Sequence, residues 1–106
     1  MIDKSVIEKA ALMLLQAAPP ESKVILFGSY ARGDAHEDGD LDFLVIEPSL
    51  SDRRREMVRL ADVLRPLRVP AEVLVVSRER FEYWRDTPNT LYYDAATEGR
   101  TYGQVG

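Results

Sequence analysis

Apolar positions follow two rhythms along this chain of 106 residues. Ile7, Ala10, Ala11 and Leu14 recur at helical spacing, which predicts an amphipathic helix ending before Pro19-Pro20. Ser5-Val6-Ile7-Glu8 fits a capping box at its start. Val24-Ile25-Leu26-Phe27 then run without interruption and stop at Gly28-Ser29, predicting a strand over 23–28. A short helical turn over 29–32 and an acidic loop over 33–39 follow. A second strand is expected over 40–47, leading through Pro48 to a helix that opens near Ser51 and carries the stripe Met57, Leu60, Ala61, Leu64. A third strand over 71–76 precedes helical segments near 78–85 and 89–98. This order predicts one α/β domain over 1–106, a small mixed β-sheet flanked by helices.

The strands also place chemistry. Side chains alternate along a strand, so Asp40, Asp42, Leu44 and Ile46 share one face while Leu41, Phe43 and Val45 share the other. The face that begins as acid ends as core, which puts the acids at the solvent end. The third strand repeats the pattern with Glu72, Leu74 and Val76. Beyond the acids both strands are apolar on both faces, as expected of strands covered on each side. If they lie side by side with acid ends together, three carboxylates converge. The Gly28-Ser29 turn lies upstream, with backbone N–H groups and no bulky Cβ to keep a phosphate oxygen away. Such a turn with two nearby carboxylates is what a metal-dependent phosphoryl or nucleotidyl transfer needs, and the oxygen donors suit Mg²⁺.

Ten residues separate Ser29 from Asp40, and Gly-Ser, ten residues, Asp-x-Asp resembles the signature of the polymerase-β-like nucleotidyltransferase superfamily. The fuller Phe27-Gly28-Ser29-Tyr30-Ala31-Arg32-Gly33-Asp34 with Asp40-x-Asp42 is similar to the minimal nucleotidyltransferases, the MNT proteins. The order of elements, through a closing Glu98-Gly99-Arg100 segment, agrees over most of the chain. Where the family usually carries a third Asp, this chain has Glu72, one methylene longer. The resemblance implies the nucleotidyltransferase fold, ATP as substrate and Mg²⁺ as cofactor. Asp40, Asp42 and Glu72 would be the catalytic and metal-binding acids, and Gly28, Ser29 and Arg32 would hold the triphosphate. Arg32 has a local alternative, pairing with Asp34. Minimal members are often antitoxins that attach AMP to a HEPN-type ribonuclease toxin, so the resemblance implies protein adenylylation of a HEPN-domain partner in a hetero-oligomer. Two alternatives remain: an antitoxin or regulatory module that works by contact, with weak or no catalysis, and nucleotidyl transfer to a small molecule within a larger complex.

Other motifs in these residues lead nowhere. Asp34, His36, Asp38, Gly39, Asp40 and Asp42 mimic the start of an EF-hand loop, but its twelfth position would be Val45 instead of Glu, and a strand follows. Gly28-Ser29 lacks the Gly-Lys-Ser/Thr of a Walker loop. The chain has no cysteine and a single histidine, His36, which argues against a disulfide framework and against zinc. A net charge of −4 argues against direct nucleic-acid binding. No apolar run reaches membrane-spanning length and no signal peptide is evident, so a cytoplasmic protein without a membrane is expected. Arg53, Arg54, Arg55 and Arg59 make one basic helix face, read as solvated and partly paired with Asp52, Glu56 and Asp62, with a partner-facing role as the alternative. Phe81, Tyr83, Trp84, Tyr92 and Tyr93 gather toward the C-terminus, either to pack the last helices onto the sheet or to anchor a protein partner.

Overall fold

A computed structural model describes residues 1–103. Helix α1 spans Lys4–Ala17, strand β1 Lys23–Phe27, the short helix α2 Ser29–Arg32, and strand β2 Leu41–Glu47. Helix α3 covers Arg53–Val63, and a 3-10 turn at Arg65–Leu67 leads to strand β3, Ala71–Ser77. Helices α4 (Arg78–Trp84) and α5 (Leu91–Glu98) precede strand β4, Arg100–Gly103. The sheet is mixed, in the order β3-β2-β1-β4. β1 runs antiparallel to both β2 and β4, whereas β2 and β3 are parallel. A parallel pair needs a crossover, and α3 supplies it.

The alternation along β2 divides the core between the two sides of the sheet. Leu41, Phe43 and Val45 join Val24, Leu26, Val73 and Val75 beneath α1 and α3, where Ala10, Leu14 and Leu60 are fully buried. Leu44 and Ile46 join Ile25 and Val76 on the other side, closed by Phe81 of α4 and Ala95 of α5. Burial of side chains this size stabilises by about 1.5–3 kcal/mol each before entropy is counted, so β2, apolar on both faces, anchors both layers.

The element boundaries depart from the sequence reading in several places. The capping box does not form. Asp3 is the N-cap, its carbonyl accepting from the Val6 and Ile7 N–H groups, and the Ser5 hydroxyl turns back to Asp3 Oδ2 at 3.3 Å. With Asp3 as the cap, Glu8 lies too far along to be its N3 partner. Helix α3 starts after Asp52, whose side chain accepts from the Arg55 N–H. Ala61 faces solvent, and Val63 and Leu67 take the packed side with Met57, Leu60 and Leu64. Strand β4 was not expected at all. Its Arg-Thr-Tyr-Gly sequence has no apolar run, and pairing with β1 makes it a strand. The connection is tight: a Cβ on Gly99 would overlap the Ala95 carbonyl and the Ile25 side chain, so glycine lets the end of α5 press onto β1.

Candidate functional site

The register across three strands brings the site together. Asp42 stands opposite Phe27 on β1 and opposite Glu72 on β3. Residues paired in register point to the same side of a sheet, so the two carboxylates are neighbours at the same end. Asp40 lies just before β2 and is exposed, as is Glu72, while Asp42 is half-buried. Burial pushes the Asp42 carboxyl above its ordinary value, and the charges of Glu72 and Asp40 push it further, with Arg32 alone pulling the other way. Crowded negative charge opposed by one arginine is the electrostatic setting that a hard cation relieves. Among the described residues no three His, Cys, Asp or Glu side chains are grouped closely enough to hold a metal ion on their own. An ion held here would therefore need donors from outside the chain, as Mg²⁺ bound through one or two carboxylates takes from nucleotide phosphates.

Gly28 makes this arrangement possible. Its φ of 77° lies in the left-handed region that disfavours side chains. A Cβ there would also collide with Asp42 Oδ2. The glycine thus does two things: it turns the chain from β1 into α2, and it leaves room for the Asp42 carboxylate. The missing side chain that the sequence suggested for phosphate approach is occupied first by a neighbouring acid.

Helix α2 is a single turn. The Gly28 carbonyl accepts from Ala31 and Arg32, and the Ser29 carbonyl accepts from Gly33 and Asp34. Gly33, at φ 86°, closes it in the left-handed conformation. The ladder of a helix leaves its first N–H groups unused, so the Ser29 end of the turn stays a donor. Ser29 also borders the acidic loop, its Oγ 3.7 Å from where a Cβ on Gly39 would sit. Tyr30 fastens the turn from behind, its hydroxyl accepting from the Ile2 N–H at 3.0 Å. Arg32 pairs with Asp34 at 3.3 Å and, through Nη1, with Glu98 of α5 at 3.5 Å. Hydrogen bonding to Asp34 leads the causes that raise its pKa. Sequence reading anticipated Asp34 and missed Glu98 and Tyr30, whose roles depend on contacts across 66 and 28 residues of chain.

The other two features resolve by element. Arg59 grips Glu56 with Nε and Nη2, both at 2.7 Å, and Arg65 pairs with Asp62. Arg53 is exposed, but its Nε also donates to the Val75 carbonyl of β3 at 2.8 Å. Among the aromatics, Phe81 is buried and meets Tyr92 edge-on, whereas Tyr83 is 75% exposed and packs its edge against Trp84. Among the described residues no helix is long and apolar enough to cross a membrane.

Comparison with known proteins places this chain in a family. No curated protein matches the chain. Among solved structures, a toxin-antitoxin with AMP-PNP is 25% identical at a TM-score of 0.57, over 92% of this chain and 74% of that one. A mutant of the toxin-antitoxin MntA-HpeT is 20% identical at 0.63, over 98% and 76%. A tri-AMPylated Shewanella oneidensis HEPN toxin in complex with MNT antitoxin is 22% identical at 0.55, over 96% and 74%, a likeness of fold. The nucleotidyltransferase domain family matches residues 7–98, from α1 through α5 and so across Gly28, Ser29, Asp40, Asp42 and Glu72, and the chain belongs to it.

Proposed function

We propose that this single domain transfers AMP from ATP, with Mg²⁺, to a hydroxyl of a HEPN-type protein partner, acting as the antitoxin of a toxin–antitoxin pair. The observation that carries the transferase reading is the in-register pairing of Asp42 with Glu72 beside a glycine that makes room for Asp42. The toxin-antitoxin neighbours, one with AMP-PNP and one with an AMPylated toxin, support the substrate and the partner.

In this mechanism the Ser29 hydroxyl and the open end of α2 donate to the triphosphate. Arg32 adds positive charge at the same mouth while held by Asp34 and Glu98. Asp40 and Asp42 would hold the metal, with Glu72 on the side of the incoming hydroxyl as further ligand or base. When bound, the metal would supply charge neutralisation at the phosphates and acidify the attacking hydroxyl. The attacking oxygen forms a bond to the α-phosphorus, the bond to the bridging oxygen of pyrophosphate breaks, and the hydroxyl proton passes to a carboxylate or to water. Acid side chains at an exposed strand end can be replaced without touching the core, which makes the test clean. Wild type and Asp42→Asn are incubated with ATP labelled at the α-phosphate, Mg²⁺ and the partner, and adduct is read by mass spectrometry. Label on the partner with wild type alone supports transfer. Partner control without adduct in either protein would replace it with a contact-only module, and label on a small molecule would move the acceptor out of the protein class.

A further inference from the structure

The far end of β2 holds a second acid that the transfer reaction does not use. Glu47 closes the strand on the face opposite Asp42, toward α1 and α3, and is only 2% exposed. Its Oε2 is buried and has no hydrogen-bond partner. Unpaired buried charge is among the costliest features a fold can carry, so the surroundings of this carboxyl decide its state.

Those surroundings are crowded and mostly committed elsewhere. From α3, Glu56 and Arg59 line the same cavity as Glu47, and Arg59 donates from Nε and Nη2 to the Glu56 carboxylate. Arg59 Nη2 also reaches the Ala17 carbonyl at the end of α1, 2.9 Å away. Asp52 caps α3, and Arg55 beside it makes no ion pair with Glu47 among the described residues. From β3, Ser77 is the register partner of Glu47, but its hydroxyl accepts from the Arg80 N–H. On the β1 side Lys23 pairs with Ile46, so one more step of register sets Ser22 opposite Glu47. Ser22 is 1% exposed, its Oγ is likewise unpartnered, and its hydroxyl carries no charge to offset a carboxylate. Among the described residues no cation is therefore dedicated to Glu47, whereas Glu56 has one gripping both oxygens. Of two neighbouring carboxyls with a guanidinium on one of them, the negative charge settles on the one the guanidinium holds.

We propose that Glu47 keeps its proton in the folded protein at neutral pH and donates it in a hydrogen bond to Glu56, forming a carboxyl clasp that fastens α3 to the end of β2 and opens as the pH rises. Burial and the Glu56 charge raise the Glu47 carboxyl to about 8, and the Arg59 hydrogen bonds hold Glu56 down at about 2. The sign follows from linkage. Between its ordinary 4.5 and about 8, Glu47 is protonated in the folded chain and ionised in the unfolded one. Its contribution to stability is therefore complete at acid pH and is lost progressively as pH rises through that window. Glu56 works the other way, and its contribution disappears only as pH falls toward 2.

The experiment follows the side-chain carboxyl of Glu47 by carbon-13 NMR in the whole chain, with denaturation of wild type and Glu47→Gln across the same pH range. The glutamine keeps the shape and a donor toward Glu56 but cannot ionise. The clasp requires that the Glu47 carboxyl titrate well above the ordinary range. It also requires that the wild-type folding constant fall relative to Glu47→Gln by about tenfold per pH unit between about pH 5 and pH 8. Amide exchange in α3 should quicken over the same interval in wild type alone. An ordinary carboxyl midpoint, or parallel stability profiles, overturns the proposal. If Glu47→Gln does not fold, the wild-type titration decides by itself.

Discussion

Strand β2 carries an acid near each end, and the two ends use opposite solutions to one problem. At Asp42, a half-buried carboxyl feels the charges of Glu72 and Asp40, and only Arg32 pulls the other way. At Glu47, one carboxyl is enclosed beside a half-buried second, Glu56, and a guanidinium is locked onto Glu56 with two bonds of 2.7 Å. Both acids have raised pKa values with burial as the leading cause. The difference is what lies next. The open end keeps its charge unbalanced and accessible, which suits a cation arriving with substrate. The closed end is balanced from within. Proximity of acids does not by itself mark a site for a metal; access and the absence of an internal counter-charge do.

The largest expected effect breaks the open end. Asp42→Asn should lower nucleotidyl transfer by at least about a hundredfold, close to 3 kcal/mol of transition-state stabilisation. Because ionised Asp42 is held against Glu72 and Asp40, the same change should leave the melting temperature at neutral pH equal or higher, read by circular dichroism. A protein that loses activity by unfolding would contradict this picture.

Next comes the glycine beside it. Gly28→Ala should cost about 3 kcal/mol, combining left-handed strain with the collision on Asp42. Gly33 is a built-in control. It has φ 86° but nothing within 4 Å of its added Cβ, so Gly33→Ala should cost only about 1 kcal/mol. Equal losses in urea denaturation would mean that the Asp42 carboxylate simply moves aside.

At the closed end, Arg59→Ala should remove about 1 kcal/mol, the effect of an interaction that is partly exposed and screened. It should leave transfer unchanged, since Arg59 is on the other face and at the other end of β2. The smallest effect belongs to Glu72→Asp, which restores the shorter acid. Transfer should stay within a few fold of wild type, under about 1 kcal/mol, if a carboxylate at this register position is what counts.

How much of this was legible depends on whether a signal was local. The alternation in β2 and β3 was written in the residues, so the acids could be assigned to faces and ends. Their convergence was conditional on adjacency: the register sets Asp42 beside Glu72, yet among the described residues no three acids are grouped closely enough to hold a metal. Gly28 and Ser29 stood out because a turn interrupts an apolar run. By contrast, β4 owes its existence to β1, and Asp3 displaced the Ser5 box by capping two residues earlier. Glu47 gave no sign either. It ends an apolar strand just before Pro48-Ser49, where a surface glutamate is the ordinary expectation, and only the packing of α3 encloses it.

One bond described earlier has a bearing on how such a chain stays dispersed. Ala71–Ser77 includes Val73-Leu74-Val75-Val76, the sort of segment that adds to its own kind when an edge is open, and β3 is an edge of the sheet. Arg53 occupies the Val75 carbonyl there, and α3 lies alongside. One backbone carbonyl of this apolar edge strand is thus taken by a basic side chain from its own crossover helix. The open border is left to β4, whose Arg, Thr, Tyr and Gly make a poor template for a second copy.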